Sequence, residues 1–256
     1  MKVVILAGGY GTRLTEETTS RPKPMVEIGD YPILWHIMNI YSNYGINDFI
    51  IACGYKASVI KNYFYNFNMH NSDVYVDLRA GEPQMLNNAT PDWRIHAIDT
   101  GLDTNTGGRL KALKSLIGNE TFMCTYGDGL SDVPLDQLLA FHKAQGRLAT
   151  VSAVHPPARF GLLEIENDRV ARFSEKPQTE NDWINGGFFV FEPGVLDYVE
   201  GPDSSLERDV LERIAADGQL AAFCHRDFFQ PMDTLRDKHR LEELWQSGKA
   251  PWTRKP

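Results

Sequence analysis

The chain has 256 residues, a formal net charge of −8 at pH 7 and an apolar content of 42%. This acidity excludes a broad electrostatic surface for nucleic acid or for an anionic membrane, although a local basic pocket is compatible with it. The length favours one α/β domain over residues 1–256. No run approaches the ~18 apolar residues of a membrane span, so we expect neither a nucleic-acid partner nor a membrane partner.

The cysteines Cys53, Cys124 and Cys224 are odd in number and far apart. This usage predicts reduced thiols rather than a disulfide framework, and the spacing matches no metal site. The apolar run at the N-terminus stops at Gly8, too early for a secretory signal. We therefore expect a cytoplasmic protein.

Strands and helices alternate along most of the chain. In chain order the patterns predict a strand over 1–7, a helix over 32–44, a strand over 48–53, a helix over 58–67, short strands over 74–78 and 94–97, a helix over 109–116, a strand over 121–125, a helix over 134–144, strands over 149–154, 161–165, 170–174 and 185–191, a helix over 206–216, a strand over 220–223 and a helix over 235–245. This alternation is typical of an α/β fold with a Rossmann-like, mixed but mostly parallel sheet flanked by helices. The segments 161–165 and 170–174 alternate like a hairpin, which predicts an inserted β region on the substrate side of the sheet.

A glycine-rich turn follows the first strand directly, with the sequence Gly8-Gly-Tyr-Gly-Thr-Arg-Leu14, and Arg21-Pro-Lys-Pro-Met25 comes soon after. Glycines here let backbone N–H groups approach phosphate oxygens, because side chains would hold a phosphate away. Arg13 and Lys23 add positive charge, and two prolines stiffen the segment around Lys23. Neither the Rossmann fingerprint nor the P-loop fits, since Leu14 replaces the third glycine of the former and Thr12-Arg13 does not match the latter.

Two aspartates lie near predicted strand ends. Asp128 lies between Gly127 and Gly129, and Asp233 precedes the last helix. Taken singly, Asp128 is typical of a turn and Asp233 of a helix N-cap. Taken together, they offer the hard oxygen ligands of a Mg²⁺ site, which commonly uses one or two carboxylates plus substrate phosphates. The residues alone leave both interpretations open.

Two further segments carry polar groups that suit a ligand. Glu175 and Lys176 form either a solvated charged turn or a site that binds sugar hydroxyls and a phosphate. Asn185-Gly-Gly187 forms either a β-bulge or a place where a small ligand approaches the backbone. His36 lies in an apolar helix and is expected in the core, and we assign no histidine a catalytic role.

In this order, the motifs resemble those of the sugar-1-phosphate nucleotidylyltransferases, over essentially the whole chain. The resemblance is strongest to the cytidylyltransferase branch of that family. It rests on the strings Pro24-Met-Val-Glu-Ile-Gly29, Pro32-Ile-Leu-Trp-His-Ile-Met38, Asp99-Thr-Gly101, Thr106-Gly-Gly-Arg-Leu-Lys111, Thr125-Tyr-Gly-Asp-Gly129, Arg159-Phe-Gly161 and Gln230-Pro-Met-Asp-Thr-Leu-Arg-Asp237. The segments 66–94 and 202–218 match the pattern poorly.

The resemblance implies the nucleotide-diphospho-sugar transferase fold and a Mg²⁺-dependent reaction. In that reaction CTP and α-D-glucose 1-phosphate would give CDP-glucose and pyrophosphate, for deoxysugar or O-antigen-type polysaccharide synthesis. It implies catalytic roles for Arg13 and Lys23, and Mg²⁺ ligation by Asp128 and Asp233. It also implies a homo-oligomer, a hexamer in this branch.

Binding residues are implied in two groups. The nucleotide-binding residues would be Leu6, Ala7, Gly8, Gly9, Gly11, Thr12, Arg13, Lys23, Thr104, Arg109 and Gly127, and the sugar-phosphate-binding residues would be Glu175, Lys176 and Asn185.

Three alternatives remain at this point. The same reaction with another nucleotide or sugar, such as dTTP or UTP, differs only in pocket details. A non-catalytic nucleotide-sensing subunit of the same fold would be expected to lose the cations or the carboxylates. A Rossmann dehydrogenase is disfavoured by the missing third glycine and by the lack of a fitting acid after the second strand.

Overall fold

The computed structural model describes residues 1–79, 81, 83–87, 90–156, 162–166, 169–174 and 183–255, with the backbone alone at 162–166 and 174. Within these residues the strands are β1 (Lys2–Ala7), β2 (Glu27–Ile28), β3 (Tyr31–Pro32), β4 (Asp48–Cys53), β5 (Asp73–Tyr75), β6 (Gln84–Leu86), β7 (Arg94–Asp99), β8 (Phe122–Tyr126), β9 (Gly129–Ser131), β10 (Ala149–Val154), β11 (Leu162–Glu166), β12 (Arg169–Ser174), β13 (Ile184–Phe191), β14 (Leu220–His225) and β15 (Phe229–Pro231). The α-helices are α1 (Thr15–Thr18), α2 (Ile33–Ser42), α3 (Ala57–Tyr65), α4 (Phe67–His70), α5 (Thr106–Ala112), α6 (Lys114–Ile117), α7 (Leu135–Gln145), α8 (Glu212–Ala216) and α9 (Leu235–Gln246). Short 3₁₀ helices cover Thr12–Leu14, Lys23–Met25, Pro193–Tyr198 and Pro251–Thr253, and a π-helix covers Leu206–Leu211.

Seven of the described strands form the central sheet, in the order β14-β10-β13-β8-β1-β4-β7. The pairs β1–β4, β1–β8, β4–β7 and β10–β14 are parallel, whereas β13 runs antiparallel to both of its neighbours. The mixed, mostly parallel sheet predicted from the alternation is therefore confirmed. Since β1, β4, β7 and β8 run in one direction, their carboxyl ends meet at one edge.

Both faces of the sheet are covered by helices. In β1 the side chains of Val3 and Ile5 enter the core shared with α2, while those of Val4 and Leu6 enter the core shared with α5 and the π-helix. This two-sided burial explains why β1 reads as a continuous apolar run rather than as an alternating one. Among the described residues, no helix is both long and apolar enough to cross a membrane.

Several boundaries differ from the sequence-based expectation. The helix predicted over 109–116 begins at Thr106 instead, where the side chain of Asn105 caps it. Gly107 and Gly108 were expected to precede the helix but lie within it, and a Cβ on Gly108 would lie only 2.2 Å from the carbonyl oxygen of Pro202. Close packing of the helix on its neighbour therefore requires glycine there.

The helix predicted over 58–67 divides into α3 and α4, and the helix predicted over 206–216 begins as a π-helix. The predicted hairpin is confirmed as the antiparallel pair β11 and β12, and its turn at 167–168 lies outside the described residues. Cys53 and Cys124 are buried, whereas Cys224 is exposed on the edge strand β14.

Candidate active site

A cavity of about 730 Å³ opens where the carboxyl ends of β1 and β8 meet the segments before α5 and α9. The glycine turn forms one wall, and the start of β13 forms another. Of the predicted site residues, those that line the cavity are Leu6, Ala7, Gly8, Gly9, Gly11, Thr12, Arg13, Lys23, Thr104, Arg109, Gly127, Asp128, Asn185 and Asp233. Glu175 and Lys176 lie outside the described residues.

Lys23 lies between the two predicted metal-binding carboxylates. Its Nζ is 2.6 Å from Asp128 Oδ2 and 2.8 Å from Asp233 Oδ1, and its side chain is only 9% exposed. Arg13 is 73% exposed and extends the cluster, with Nη1 3.0 Å from Asp233 Oδ2. A buried ammonium group is costly unless it is paired, so the two carboxylates are what allows Lys23 to be fixed here.

Local structure explains why these distant residues meet. Lys23 begins a tight turn closed by the bond from the Met25 N–H to the Pro22 carbonyl. On the opposite side, β9 pairs with β15 so that Gly129 is opposite Pro231. The Met232 N–H also donates to the Asp128 carbonyl at 2.8 Å. This short ribbon brings Asp128 and Asp233 to the same end of the cavity.

The N-cap interpretation of Asp233 is wrong. The cap of α9 is Thr234, whose Oγ1 accepts the backbone N–H of Asp237, while Asp237 Oδ2 accepts the backbone N–H of Thr234. This reciprocal pair satisfies the first turn of the helix. The side chain of Asp233 instead contacts Lys23 and Arg13.

Arg109 holds the backbone of the glycine turn and of the neighbouring strand ends through hydrogen bonds. It is 4% exposed, and its Nη2 donates to the carbonyl oxygens of Gly8 and Leu102. Its Nη1 donates to Thr100 Oγ1 and to the carbonyl oxygens of Cys53 and Gly101. Burial lowers the pKa of Arg109 from its usual value. Arg109 therefore joins the ends of β1, β4 and β7 into one wall of the cavity.

The bulge predicted at Asn185-Gly-Gly187 is present. The register of β13 against β10 shifts between Val151 and Ala153, and Gly187 has a φ of +78°. The bulge leaves Asn185 exposed at the cavity. Its Oδ1 accepts the N–H of Gly187 at 2.9 Å, and its Nδ2 donates to Tyr126 Oη at 3.1 Å.

Tyr10, Asp103, Thr106 and Tyr126 also line the cavity and were missed as site residues. Tyr10 Oη donates to Asp103 Oδ1 at 2.7 Å, which joins the glycine turn to the loop before α5. Thr106 and Tyr126 belong to two of the strings on which the family resemblance rests. Because they are adjacent to Gly107 and Gly127 in those strings, they could have been recognised as site residues.

His36 is a core residue, as expected. It is 1% exposed, its Nε2 donates to the Ile28 carbonyl at 2.9 Å, and its Nδ1 accepts the indole N–H of Trp252 at 3.3 Å. Burial lowers the pKa of His36 to about 4, against the smaller opposing effects of the Ile28 carbonyl and Glu242. Both nitrogens of the neutral ring are thus hydrogen-bonded within the fold.

The donor set fits a divalent cation that is shared with a substrate. Among the described residues, no group of three or more histidine, cysteine or acidic side chains gathers as a closed metal site. Asp128 and Asp233 offer carboxylate oxygens at the wall of a cavity large enough for phosphates. Mg²⁺ characteristically takes one or two protein carboxylates and completes its shell with water and phosphate oxygens.

The mixed sheet, the glycine turn and the paired carboxylates define a phosphate-handling α/β enzyme. A family model described as nucleotidyl transferase matches residues 2–246, and the chain belongs to this family. The resemblance predicted from the motifs is confirmed, and the dehydrogenase alternative is excluded by the family membership.

Relatives of the chain have a narrower description. It is 50% identical over 253 residues to glucose-1-phosphate cytidylyltransferase of Salmonella typhi, covering 98% of both chains. It is 42% identical to a probable glucose-1-phosphate cytidylyltransferase of Bacillus subtilis, covering 98% of this chain and 99% of the relative. In fold it is similar to HddC of Yersinia pseudotuberculosis, with a TM-score of 0.67, 25% identity and coverage of 95% and 99% of the two chains.

Proposed function

We propose that the protein transfers a cytidylyl group from CTP to α-D-glucose 1-phosphate, giving CDP-glucose and pyrophosphate. The observation that carries this proposal is the placement of Lys23 between Asp128 and Asp233 in a glycine-lined cavity. Identity of 50% to a cytidylyltransferase that uses glucose 1-phosphate supports the choice of substrates.

The reaction needs no protein nucleophile. A phosphate oxygen of glucose 1-phosphate is already an anion, so it attacks the α-phosphorus of CTP without a general base. A new oxygen–phosphorus bond forms while the bond from the α-phosphorus to the bridging oxygen breaks, and pyrophosphate leaves with that electron pair. The main obstacle is the repulsion between two polyanions, which grows as water is excluded from the cavity.

Lys23 and Arg13 act on this obstacle by charge. The Lys23 ammonium group is desolvated and fixed before substrates arrive, so it donates to a phosphate oxygen with little reorganisation. Arg13 is exposed at the cavity and suits the outer phosphates of the nucleotide, because a guanidinium group donates to two oxygens at once. Positioning and electrostatics therefore carry the catalysis.

We propose Mg²⁺ as the divalent cation, held by Asp128 and Asp233. When bound, the ion supplies positive charge to the phosphates and to the departing pyrophosphate. The presence of Arg13, Lys23, Asp128 and Asp233 together favours catalysis over a nucleotide-sensing role, because sensing alone does not need them all.

A nucleotide panel tests the proposal. The purified protein is incubated with glucose 1-phosphate, Mg²⁺ and CTP, dTTP, UTP, ATP or GTP in turn, and pyrophosphate release is measured. We expect CTP to give the highest kcat/KM by at least about tenfold, the scale of one or two base-specific hydrogen bonds. A preference for dTTP or UTP would reassign the nucleotide, and binding without turnover would support the sensing role.

We also propose that the enzyme acts in the cytoplasm as a homo-oligomer. Cys53 and Cys124 are buried without a disulfide, which suits a reducing compartment. Large apolar side chains are exposed close together in the segment 65–86, at Tyr65, Met69, Val74, Tyr75, Val76, Leu78, Met85 and Leu86. Light scattering on the purified protein should give a mass of two or more times 29.0 kDa, and a mass of 29.0 kDa would refute the oligomer.

A further inference from the structure

The carboxylate of Glu207 connects segments on two sides of the cavity, although it does not line the cavity itself. Its Oε1 accepts a hydrogen bond from Tyr126 Oη at 2.6 Å. Its Oε2 accepts from Thr106 Oγ1 and from Ser205 Oγ, both at 2.8 Å. Glu207 lies in the π-helix, within the segment 202–218 that matched the family pattern poorly. No role followed for it from the sequence.

The chain of hydrogen bonds that starts at Glu207 has a fixed direction. Burial alone would raise the pKa of Glu207, but hydrogen bonds from Tyr126, Ser205 and Thr106 and from its own backbone N–H lower it, so the group is ionised and accepts only. The hydroxyl of Tyr126 has one proton to donate, and its oxygen lies 2.6 Å from Glu207 Oε1. Tyr126 must therefore donate to Glu207, and its oxygen accepts from Asn185.

The same chain determines the orientation of the Asn185 amide. Nδ2 donates to Tyr126 Oη at 3.1 Å, and Oδ1 accepts the Gly187 N–H at 2.9 Å. The ring of Tyr126 also packs on Gly187, where a Cβ would lie 2.5 Å from Tyr126 Cδ2. Nδ2 carries a second N–H beyond the one that Tyr126 accepts, and Asn185 lines the cavity. A ligand at this wall thus meets an amide donor.

We propose that Glu207 is a positioning residue that acts through Tyr126 to hold Asn185 with its amide donor toward the sugar phosphate. The inference rests on the proposed function, because it takes glucose 1-phosphate as the ligand at this wall. Phosphate and hydroxyl oxygens accept hydrogen bonds from an amide N–H. A flipped Asn185 would place its carbonyl oxygen against a phosphate, which repels it.

A purely structural role of Glu207 would have a different signature. Through Thr106 and Leu206 the carboxylate also supports the start of α5, on the nucleotide side of the cavity. Loss of that support alone would raise KM for both substrates together, or would lower only the stability of the protein. Loss of the bond to Tyr126 would weaken the sugar phosphate selectively. The split between the two KM values therefore separates the two roles.

The experiment measures KM for glucose 1-phosphate and for CTP in five variants. They are Glu207→Leu, Glu207→Gln, Tyr126→Phe, the double variant Glu207→Leu with Tyr126→Phe, and the matched control Glu212→Gln, at an exposed acid in the same stretch of chain. We expect Glu207→Leu and Tyr126→Phe each to raise KM for glucose 1-phosphate about tenfold, the scale of one misdirected hydrogen bond. In Tyr126→Phe, which leaves the contact of Glu207 with Thr106 in place, KM for CTP should change less than about twofold, and the control should match the wild type.

Two further comparisons test the route through Tyr126. Glu207→Gln keeps an acceptor for the tyrosine hydroxyl and should restore most of the affinity for glucose 1-phosphate. In the Tyr126→Phe background, Glu207→Leu should cause no further increase in KM for glucose 1-phosphate, because the connection is already broken. If melting curves show that Glu207→Leu does not fold, Tyr126→Phe and Glu207→Gln still test the inference through the split between the two KM values.

Equal increases in both KM values in Tyr126→Phe, additive effects in the double variant, or a Gln variant as impaired as the Leu variant would each overturn the inference. Failure of the proposed function would look different. In that case the wild-type protein itself would release no pyrophosphate from CTP with glucose 1-phosphate.

Discussion

Two buried, positively charged side chains line the same cavity, but one has charged hydrogen-bond partners and the other has neutral ones. Lys23 contacts the carboxylates of Asp128 and Asp233, whereas Arg109 contacts mainly backbone carbonyl oxygens, including that of Gly8. A carboxylate has acceptor oxygens for a second cation, so Asp128 and Asp233 can bind a metal ion while Lys23 keeps its position and donates to a phosphate. The backbone carbonyls at the ends of strands are held in place by the sheet and serve only to hold Arg109. We infer that the chemistry takes place at the end of the cavity formed by Asp128 and Asp233, which we call the carboxylate end. The wall that contains Arg109 maintains the shape of the cavity.

Lys23→Ala gives the largest expected effect on activity. We expect kcat to fall by two to three orders of magnitude, roughly 2.7–4 kcal/mol, the scale for loss of one preorganised donor. Stopped or coupled assays of pyrophosphate release measure this, with Lys143→Ala at an exposed position as the matched control. A folded Lys23→Ala protein with normal turnover would remove Lys23 from the reaction.

We expect Arg109→Met to lower the stability of the protein rather than to impair CTP binding alone. Removal of the guanidinium group leaves buried carbonyl oxygens unpaired, so the free energy of unfolding should fall by about 3 kcal/mol. Chemical denaturation measures the change, and Arg208→Met, at an exposed position, is the control. If Arg109→Met were as stable as the wild type and failed only to bind CTP, the roles of the two cations would be alike.

The adjacent glycines Gly8 and Gly9 sharpen the comparison. A Cβ on Gly8 would lie 2.2 Å from Arg109 Cζ, whereas a Cβ on Gly9 meets no described heavy atom within 4 Å. Gly8→Ala should therefore destabilise the fold by about 2 kcal/mol through overpacking. Gly9→Ala should melt like the wild type but raise KM for CTP, because the methyl group would hold a phosphate away from the backbone. Equal melting temperatures for all three proteins would refute this assignment.

The smallest effect is a loss of stability in acid, and it depends on a buried histidine beside the ribbon of β2 and β3. His36 donates to Ile28 in that ribbon, and burial lowers its pKa to about 4 from an ordinary value of 6.5. The folded state therefore disfavours the proton, so stability is full above pH 6.5 and falls as the pH decreases toward 4. Between pH 7.5 and pH 5.5 the loss should be about 1.4 kcal/mol.

Denaturation of the wild type and of His36→Gln at several pH values measures this effect. The variant should be less stable at pH 7.5, yet its stability should change less between the two pH values. A wild-type stability that does not fall in this window would show that His36 titrates normally.

Most of the sheet and the positions of the site motifs were predictable from the sequence. The apolar runs of β1, β4 and β8 are buried on both faces, so their ends could be read directly from where the runs stop. Parallel strands bring those ends to one edge, and for this reason Arg13, Lys23 and Asp128 could be predicted to meet there.

The remaining roles depend on contacts between segments that are distant in sequence. Asp233 and Thr234 are both good N-caps, and only the side-chain bond to Asp237 decides between them. Arg109 carries the same charge as Lys23, and only its carbonyl partners distinguish its proposed role in the wall from the proposed catalytic role of Lys23. Glu207 was not predictable, because nothing in its local sequence indicates that it meets Tyr126 and Thr106.

The most direct test of the account is a Mg²⁺ titration of pyrophosphate release by the wild type and by Asp128→Asn, with folding verified by circular dichroism. We predict that the wild type depends on Mg²⁺ with a saturating response, and that Asp128→Asn loses this response while it retains the fold. A normal Mg²⁺ response in Asp128→Asn would contradict the assignment of the carboxylate end as the place where the chemistry occurs.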